Sequence, residues 1–462
     1  MPNTHTIPIP QILCIDLGSS SLKAALIDTE GHTTALVREA YPLEHFASGA
    51  ILAADWEQAL VRAWTRLTFQ AKTSVAGLCI SGNGPTLVPF TASGEALAPL
   101  YWYGPRVSMG ENAPSLFLPY LCSFAQNRPQ DYEKTRGVCS AQEWLAHRLG
   151  ADMVTCLPTE AYKPYYWDQG QCDSAGVDIR LFPPFVKLGS IIGRVSQTGA
   201  ARFGLPLGLP LVAGGPDFIM AIIGVGVLQA GMVCDRAGTS EGINVCSSVP
   251  LPGGDFRVLP HPGEGLLNIS SIIPRSGRLF EWFRNLTGQT ERPYTELVAE
   301  LIPQSGFSEP EALFFPQASG SFLSLGEGLV SRQGLGRAVL DAMGFLVRDA
   351  LEGLARQGFL VTEMRVSGGQ GKNPRWNQLK ADLTGCTLLI PEIQDGELAG
   401  DAAVAAVALG ESVHLAEAVS RMIRMSARYA PCTQTQSQYA EYYSYFKRMA
   451  FEVRRTSLRS CF

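Results

Sequence analysis

No stretch of this 462-residue chain is long and apolar enough to suggest a bilayer span. The longest run, residues 219–228, is broken by Gly224 and Gly226 and falls short of the roughly 20 apolar residues that a spanning helix needs. The first eleven residues have no basic start and no apolar core, so they do not read as an export signal. Positive charge is also scarce. Lys and Arg number 37 against 42 Asp and Glu, a net charge of −5. A protein held on nucleic acid by phosphate contacts needs a basic face, so neither nucleic acid nor membrane is expected as a partner. The eleven cysteines form no C-x-x-C, and Cys14, Cys79, Cys234 and Cys246 lie inside apolar strands. That usage predicts reduced, structural thiols in a cytoplasmic protein. The six histidines have no metal-ligand spacing. There is no G-x-x-x-x-G-K-[ST], no G-x-G-x-x-G and no H-E-x-x-H.

What is present is an α/β pattern of a length that suits two domains. Residues 12–15, 22–27 and 33–41 read as a meander of strands, followed by a helix from Asp55 to Ala71 and a strand over 75–81. Residues 104–175 are less regular, and 155–172 are rich in Tyr, Trp and Pro, which suggests a lid or wall over a pocket. In the second half, strands near 266–273, 364–366 and 388–393 alternate with helices near 337–357, 375–384 and 399–409. The expected division is 1–243 and 244–462, with a lid insertion at about 104–175.

Four loops rich in Gly, hydroxyls and acids stand at strand ends. Asp16 is followed by Gly18, Ser19, Ser20 and then Lys23. Residues 214–217, Gly-Gly-Pro-Asp, read as a tight turn that places Asp217 at a strand mouth. Asp235 is followed by Gly238, Thr239 and Ser240. The last loop, 367–374, carries Gly368, Gly369, Gln370 and Asn373. Backbone N–H groups and hydroxyls in such loops suit phosphate oxygens. Phosphoryl transfer requires fixed phosphates, Mg²⁺ and a base near the accepting hydroxyl. Asp217 is the candidate base. Asp16 is the candidate Mg²⁺ ligand, since that ion takes one or two carboxylates and keeps much of its water. The glycines of 368–371 would let a flat adenine ring approach the backbone. The acid–Gly–hydroxyl order at 16–21 is echoed at 235–240, which suits two similar domains.

In order, residues 16–23, 79–82, 211–217, 238–240 and 366–376 resemble five motifs of the FGGY carbohydrate kinases, most nearly the xylulokinase-like branch. The resemblance implies two ribonuclease-H-like (actin-like ATPase) domains with a cleft between them. It implies ATP and Mg²⁺ as cofactors, a sugar or polyol as the acceptor, and closure on substrate. A homodimer is expected by analogy alone. The sugar side departs from the branch. Asn83-Gly84-Pro85-Thr86 stands where that branch has Gln-Met-His-Gly, and Gly104 stands where it has Asp. Asn83, Trp102 and Arg106 are the expected sugar contacts beside Asp217, with Glu160 or Tyr162 joining from the lid. The expected reaction is phosphorylation of a sugar hydroxyl, with a ketopentose such as xylulose as the first acceptor. The alternatives are another ketose or small polyol, or a non-catalytic sensor of sugar and ATP.

Overall fold

A computed structural model describes residues 9–49, 51–70, 74–109, 114–238, 240–251, 256–274, 276–302, 307–316 and 320–459. The chain forms two compact units. One comprises Met1–Leu228, Pro260–Glu264 and Asp395–Arg424; the other comprises the intervening stretches and the C-terminus.

The first unit opens with β1 (Gln11–Leu17), β2 (Ser21–Asp28) and β3 (Thr33–Ala40), an antiparallel meander. Helix α1 (Ala53–Gln70) then returns the chain to β4 (Val75–Gly82), which runs parallel to β1. The apolar residues of α1 recur at helical spacing: Trp56, Leu60, Ala63, Trp64 and Leu67 are all buried against the sheet. Helix α2 (Ala141–Leu149) begins with a capping box, in which Ser140 and Glu143 satisfy one another's backbone ends. Beyond it, β5 (Ile191–Arg194) is antiparallel to β6 (Pro210–Pro216), and β6 is parallel to β4. The sheet order is β3-β2-β1-β4-β6-β5. Every residue of β1 is buried, as expected of a central strand covered on both faces. Helix α3 (Asp217–Gly224) follows β6 directly.

Here the structure corrects a sequence expectation. Gly214, Gly215 and Pro216 do not form a turn; they complete β6. A Cβ on Gly214 would stand 2.0 Å from the Ile80 carbonyl oxygen of β4. The glycine serves strand contact, and the chain turns only at Asp217.

The second unit repeats the plan. Strands β7 (Val233–Ala237) and β8 (Glu241–Ser247) form a hairpin, followed by β9 (Arg257–Pro260) and β10 (Leu267–Ile273). Helix α4 (Arg332–Arg356) leads to β11 (Glu363–Ser367), α5 (Pro374–Thr384) and β12 (Thr387–Pro391). With β13 (Met425–Tyr429), the order is β9-β10-β8-β7-β11-β12-β13. From β10 to β13 the strand directions match β3 to β5 one for one: two antiparallel pairings, two parallel, one antiparallel. The weak echo in the sequence is thus a repeat of topology.

Helix α6 (Gly396–Ala408) belongs to the first unit, where it crosses α3. A Cβ on Gly224 would stand 1.8 Å from the Gly396 carbonyl oxygen, and one on Gly400 would stand 2.1 Å from that of Met220. The two helices touch backbone to backbone. The units therefore depart from a single division at residue 243. The hairpin β7–β8 lies wholly in the second unit, and residues 395–424 return to the first. The expected lid region contains short helices and an aromatic cluster in which Trp167 stacks on Phe182 with ring centroids 4.0 Å apart. Tyr166 and Trp167 are buried there, so these aromatics act as a satellite core. No helix among the described residues is long and apolar enough to cross a membrane.

Candidate active site

Strands β1, β4 and β6 are parallel, so their carboxyl ends lie at one edge of the first unit's sheet, where α/β folds characteristically place ligands. Asp16 stands on β1, Gly82 and Asn83 at the end of β4, and Asp217 just after β6. Register ties them together: Leu17 pairs with Gly82, and Gly82 with Pro216. The Asn83 amide also donates to the Leu17 carbonyl at 3.1 Å. Asp16 is 3% exposed. Lys23 Nζ lies 3.1 Å from Asp16 Oδ2 and 3.1 Å from Asp395 Oδ1. Burial pushes the Asp16 carboxyl up to about 6; Lys23 pulls against it, while Glu397 and Asp217 add to it. Those two carboxylates are thus close enough to be felt at Asp16. Burial alone would lower the Lys23 ammonium, but Asp16, Glu397 and Asp395 hold it above its ordinary range.

After Asp16 the chain turns tightly, with the Gly18 N–H donating to the Ser21 carbonyl at 3.1 Å. Gly18, Ser19 and Ser20 are half-buried. Asp217 is half-buried at the first turn of α3, where its Oδ1 accepts from the Phe218 N–H at 2.7 Å. One oxygen thus satisfies an amide of the helix's first turn, a task compatible with a base role for the carboxylate.

On the expected acceptor side, Asn83 is buried and its Oδ1 accepts from Thr86 Oγ1 at 2.6 Å. Trp102 and Arg106 are exposed. Tyr162 is buried, whereas exposed Glu160 pairs with Lys163 at 2.7 Å. A cavity of about 550 Å³ lined by Lys163, Trp167, Phe182 and Phe185 contains none of the candidate residues.

In the second unit, at the β7–β8 connection, the Gly238 N–H donates to the Ser240 carbonyl at 3.1 Å, a closure one residue shorter than the Gly18–Ser21 contact. Thr239 lies outside the described residues. Residues 238–242 also spell G-x-S-x-G, but a strand–turn–strand does not present Ser240 as a nucleophile elbow does. Beneath the turn, Lys380 donates to Asp235 and to Glu241, and Ser276 Oγ donates to Glu241 at 2.5 Å. Burial raises Asp235 to about 7, against the pull of Lys380.

The loop after β11 has Gly368 at φ +98°, where a Cβ would stand 2.6 Å from the Ala237 carbonyl oxygen. Only glycine fits there. A Cβ at Gly369 would meet nothing within 4 Å, so its backbone is open to a ring. Gln370 Oε1 accepts from Trp376 Nε1 at 3.1 Å, while its Nε2 is buried with no hydrogen-bond partner. Asn373 Oδ1 caps α5, accepting from the N–H groups of Arg375 and Trp376 at 3.0 and 3.1 Å. That oxygen is therefore engaged with the helix.

A model of the FGGY family of carbohydrate kinases, C-terminal domain, matches residues 236–409. That stretch carries the family's C-terminal domain. It is 22% identical over 489 aligned residues to an autoinducer-2 kinase of Salmonella choleraesuis, covering 93% of this chain and 92% of that one. Among solved structures it resembles the xylulose kinase of Rhodospirillum rubrum, with a TM-score of 0.77 and 19% identity over 96% of this chain and 99% of that one. It also resembles Plasmodium falciparum glycerol kinase with ADP, with a TM-score of 0.77 and 15% identity over 95% and 98% of the two chains. The fold is the two-domain actin-like ATPase fold shared with these kinases.

The carboxyls of residues 395–401 stand outside the motifs read in the sequence. Glu397 and Asp401 lie one turn apart on α6, 5% and 0% exposed. Asp401 accepts from Ser81 Oγ at 3.0 Å and Cys79 Sγ at 3.6 Å, and burial holds its carboxyl well above the usual range. Two acids four residues apart in an alanine-rich helix were the available signal. The residues present fit Mg²⁺ and ATP. Asp16 Oδ1 is buried without a hydrogen-bond partner, and so is Gln370 Nε2. No group of three or more His, Cys, Asp or Glu side chains able to hold a metal forms among the described residues. A single carboxylate still suits an ion completed by phosphates and water.

Proposed function

We propose that the chain transfers the γ-phosphoryl group of ATP to a hydroxyl of a small sugar, with a ketopentose such as xylulose as the first acceptor to examine. The observation that carries this reading is the convergence of Asp16 and Asp217 at the carboxyl ends of β1 and β6, linked through β4. Asp217 takes the proton of the acceptor hydroxyl as its oxygen bonds to the γ-phosphorus, and ADP departs. Asp16 Oδ1 would hold Mg²⁺, which when bound neutralises charge on the phosphates. Gly18, Ser19, Ser20, Gly238, Thr239 and Ser240 bind phosphate oxygens. Gly368, Gly369 and Gln370 receive the adenosine. Asn373 supports that loop by capping α5. Asn83, Trp102 and Arg106 orient the acceptor. The names of the relatives, which include autoinducer-2 and glycerol kinases, make other small polyhydroxy acceptors the next to test.

Asp217→Asn tests the base. We expect ATP binding to persist and turnover to fall by about 10²–10⁴-fold. Full turnover in the variant would remove Asp217 from the reaction.

A further inference from the structure

Lys23 has the sequence position of a phosphate-binding cation, but its ammonium lies between two carboxylates, Asp16 and Asp395, each at 3.1 Å. Its charge is already neutralised. The next strand carries a second cation. The register pairs Asp16 with Lys23 and Lys23 with Arg38, so these three residues form one row on one face of the sheet. Arg38 is exposed on β3 and leans toward the β1–β2 turn. Its Nε–H donates to Ser21 Oγ at 2.8 Å and its Nη2–H to Ser20 Oγ at 3.3 Å. No carboxylate pairs with Arg38 among the described residues. Its charge is uncompensated and the remaining N–H groups of its planar fork are available, the geometry suited to bidentate phosphate contact.

We propose that Arg38 is the cation that meets the nucleotide phosphates at the Gly18–Ser20 turn, while Lys23 holds Asp16 and Asp395 in place. Arg38 also orients the turn by donating to both serine hydroxyls. This assignment rests on the reading of the chain as an ATP-dependent kinase and identifies the residue that reads the triphosphate.

The experiment measures dissociation constants for ATP and for adenosine by calorimetry, at low and high salt, with the unaltered protein, Arg38→Gln and Arg38→Lys. Loss of a charge-assisted phosphate contact should weaken ATP by about tenfold or more in Arg38→Gln, with a smaller loss in Arg38→Lys. Adenosine affinity should not change, and the salt dependence of ATP binding should flatten. A merely structural role would weaken both ligands together and would overturn the proposal. Unchanged ATP affinity and salt dependence in Arg38→Gln would overturn it too. ADP release measured in parallel separates the proposal from the functional reading. If ATP binding depends on Arg38 but no acceptor stimulates release, the kinase reading fails and the Arg38 assignment stands. If the unaltered protein binds no ATP, both fail.

Discussion

Lys380 has 1% of its side chain exposed, and its ammonium is held by Asp235 and Glu241, both fully buried. The three groups tie both strands of the β7–β8 hairpin to α5, directly under the Gly238–Ser240 turn. Removing one partner of such a set leaves an uncompensated charge in the interior. Lys380→Met should therefore cost about 3–5 kcal/mol in urea unfolding. Adding Asp235→Asn and Glu241→Gln should restore most of the loss, because no buried charge is then left unpaired. A single variant that unfolds at the unaltered midpoint would contradict this account. At this scale the sequence was legible in part. Asp16, Asp217 and the loops at 18–20 and 368–371 stand at strand ends, whereas Gly214 and Gly215 lie within β6. Lys380 was hidden, because a lysine in a helix with apolar neighbours reads as solvent-facing until the partner acids, 139 and 145 residues away, are brought beside it. Lys23 was visible, but Asp395 belongs to a segment that returns from far along the chain.

The elements that position the site depend on close approach rather than bulk. Helices α3 and α6 cross where glycines let their backbones touch, and they carry Asp217, Glu397 and Asp401 into the first unit. Gly400→Ala places a methyl group against the Met220 carbonyl, and neither backbone can yield locally. The variant should lose about 1–3 kcal/mol of stability, read as a lower urea midpoint. An unchanged midpoint would mean that the crossing relaxes freely. Strong periodicity made most elements readable, and the helix expected near 375–384 is α5, Pro374–Thr384. The failures have physical reasons. Gly214–Pro216 has turn composition, but its glycines serve contact with β4. Strand β13 went unread although Met425, Ala427 and Tyr429 alternate with Ser426 and Arg428, because five alternating residues without an apolar run are a faint signal.

Across the whole molecule, one strand plan occurs twice. In each unit the opening hairpin carries an acid held by a lysine beside a glycine turn: Asp16 with Lys23, and Asp235 with Lys380. The repetition was faint in the sequence because only the short acid–Gly–hydroxyl runs correspond, whereas topology is maintained by buried apolar residues of interchangeable kind. The two acids are alike in burial, at 3% and 0% exposed. Asp16 Oδ1 and Asp235 Oδ1 are both buried without a hydrogen-bond partner, Asp16 at a strand end and Asp235 beneath its turn. The central claim is phosphoryl transfer from ATP to a sugar hydroxyl. Its most direct test is ADP release by the purified protein with Mg-ATP across ketopentoses, ketohexoses and small polyols. The account predicts saturable release with one acceptor or a few close analogues, well above the rate with water alone. Binding of ATP with no acceptor-dependent release across the panel would contradict it.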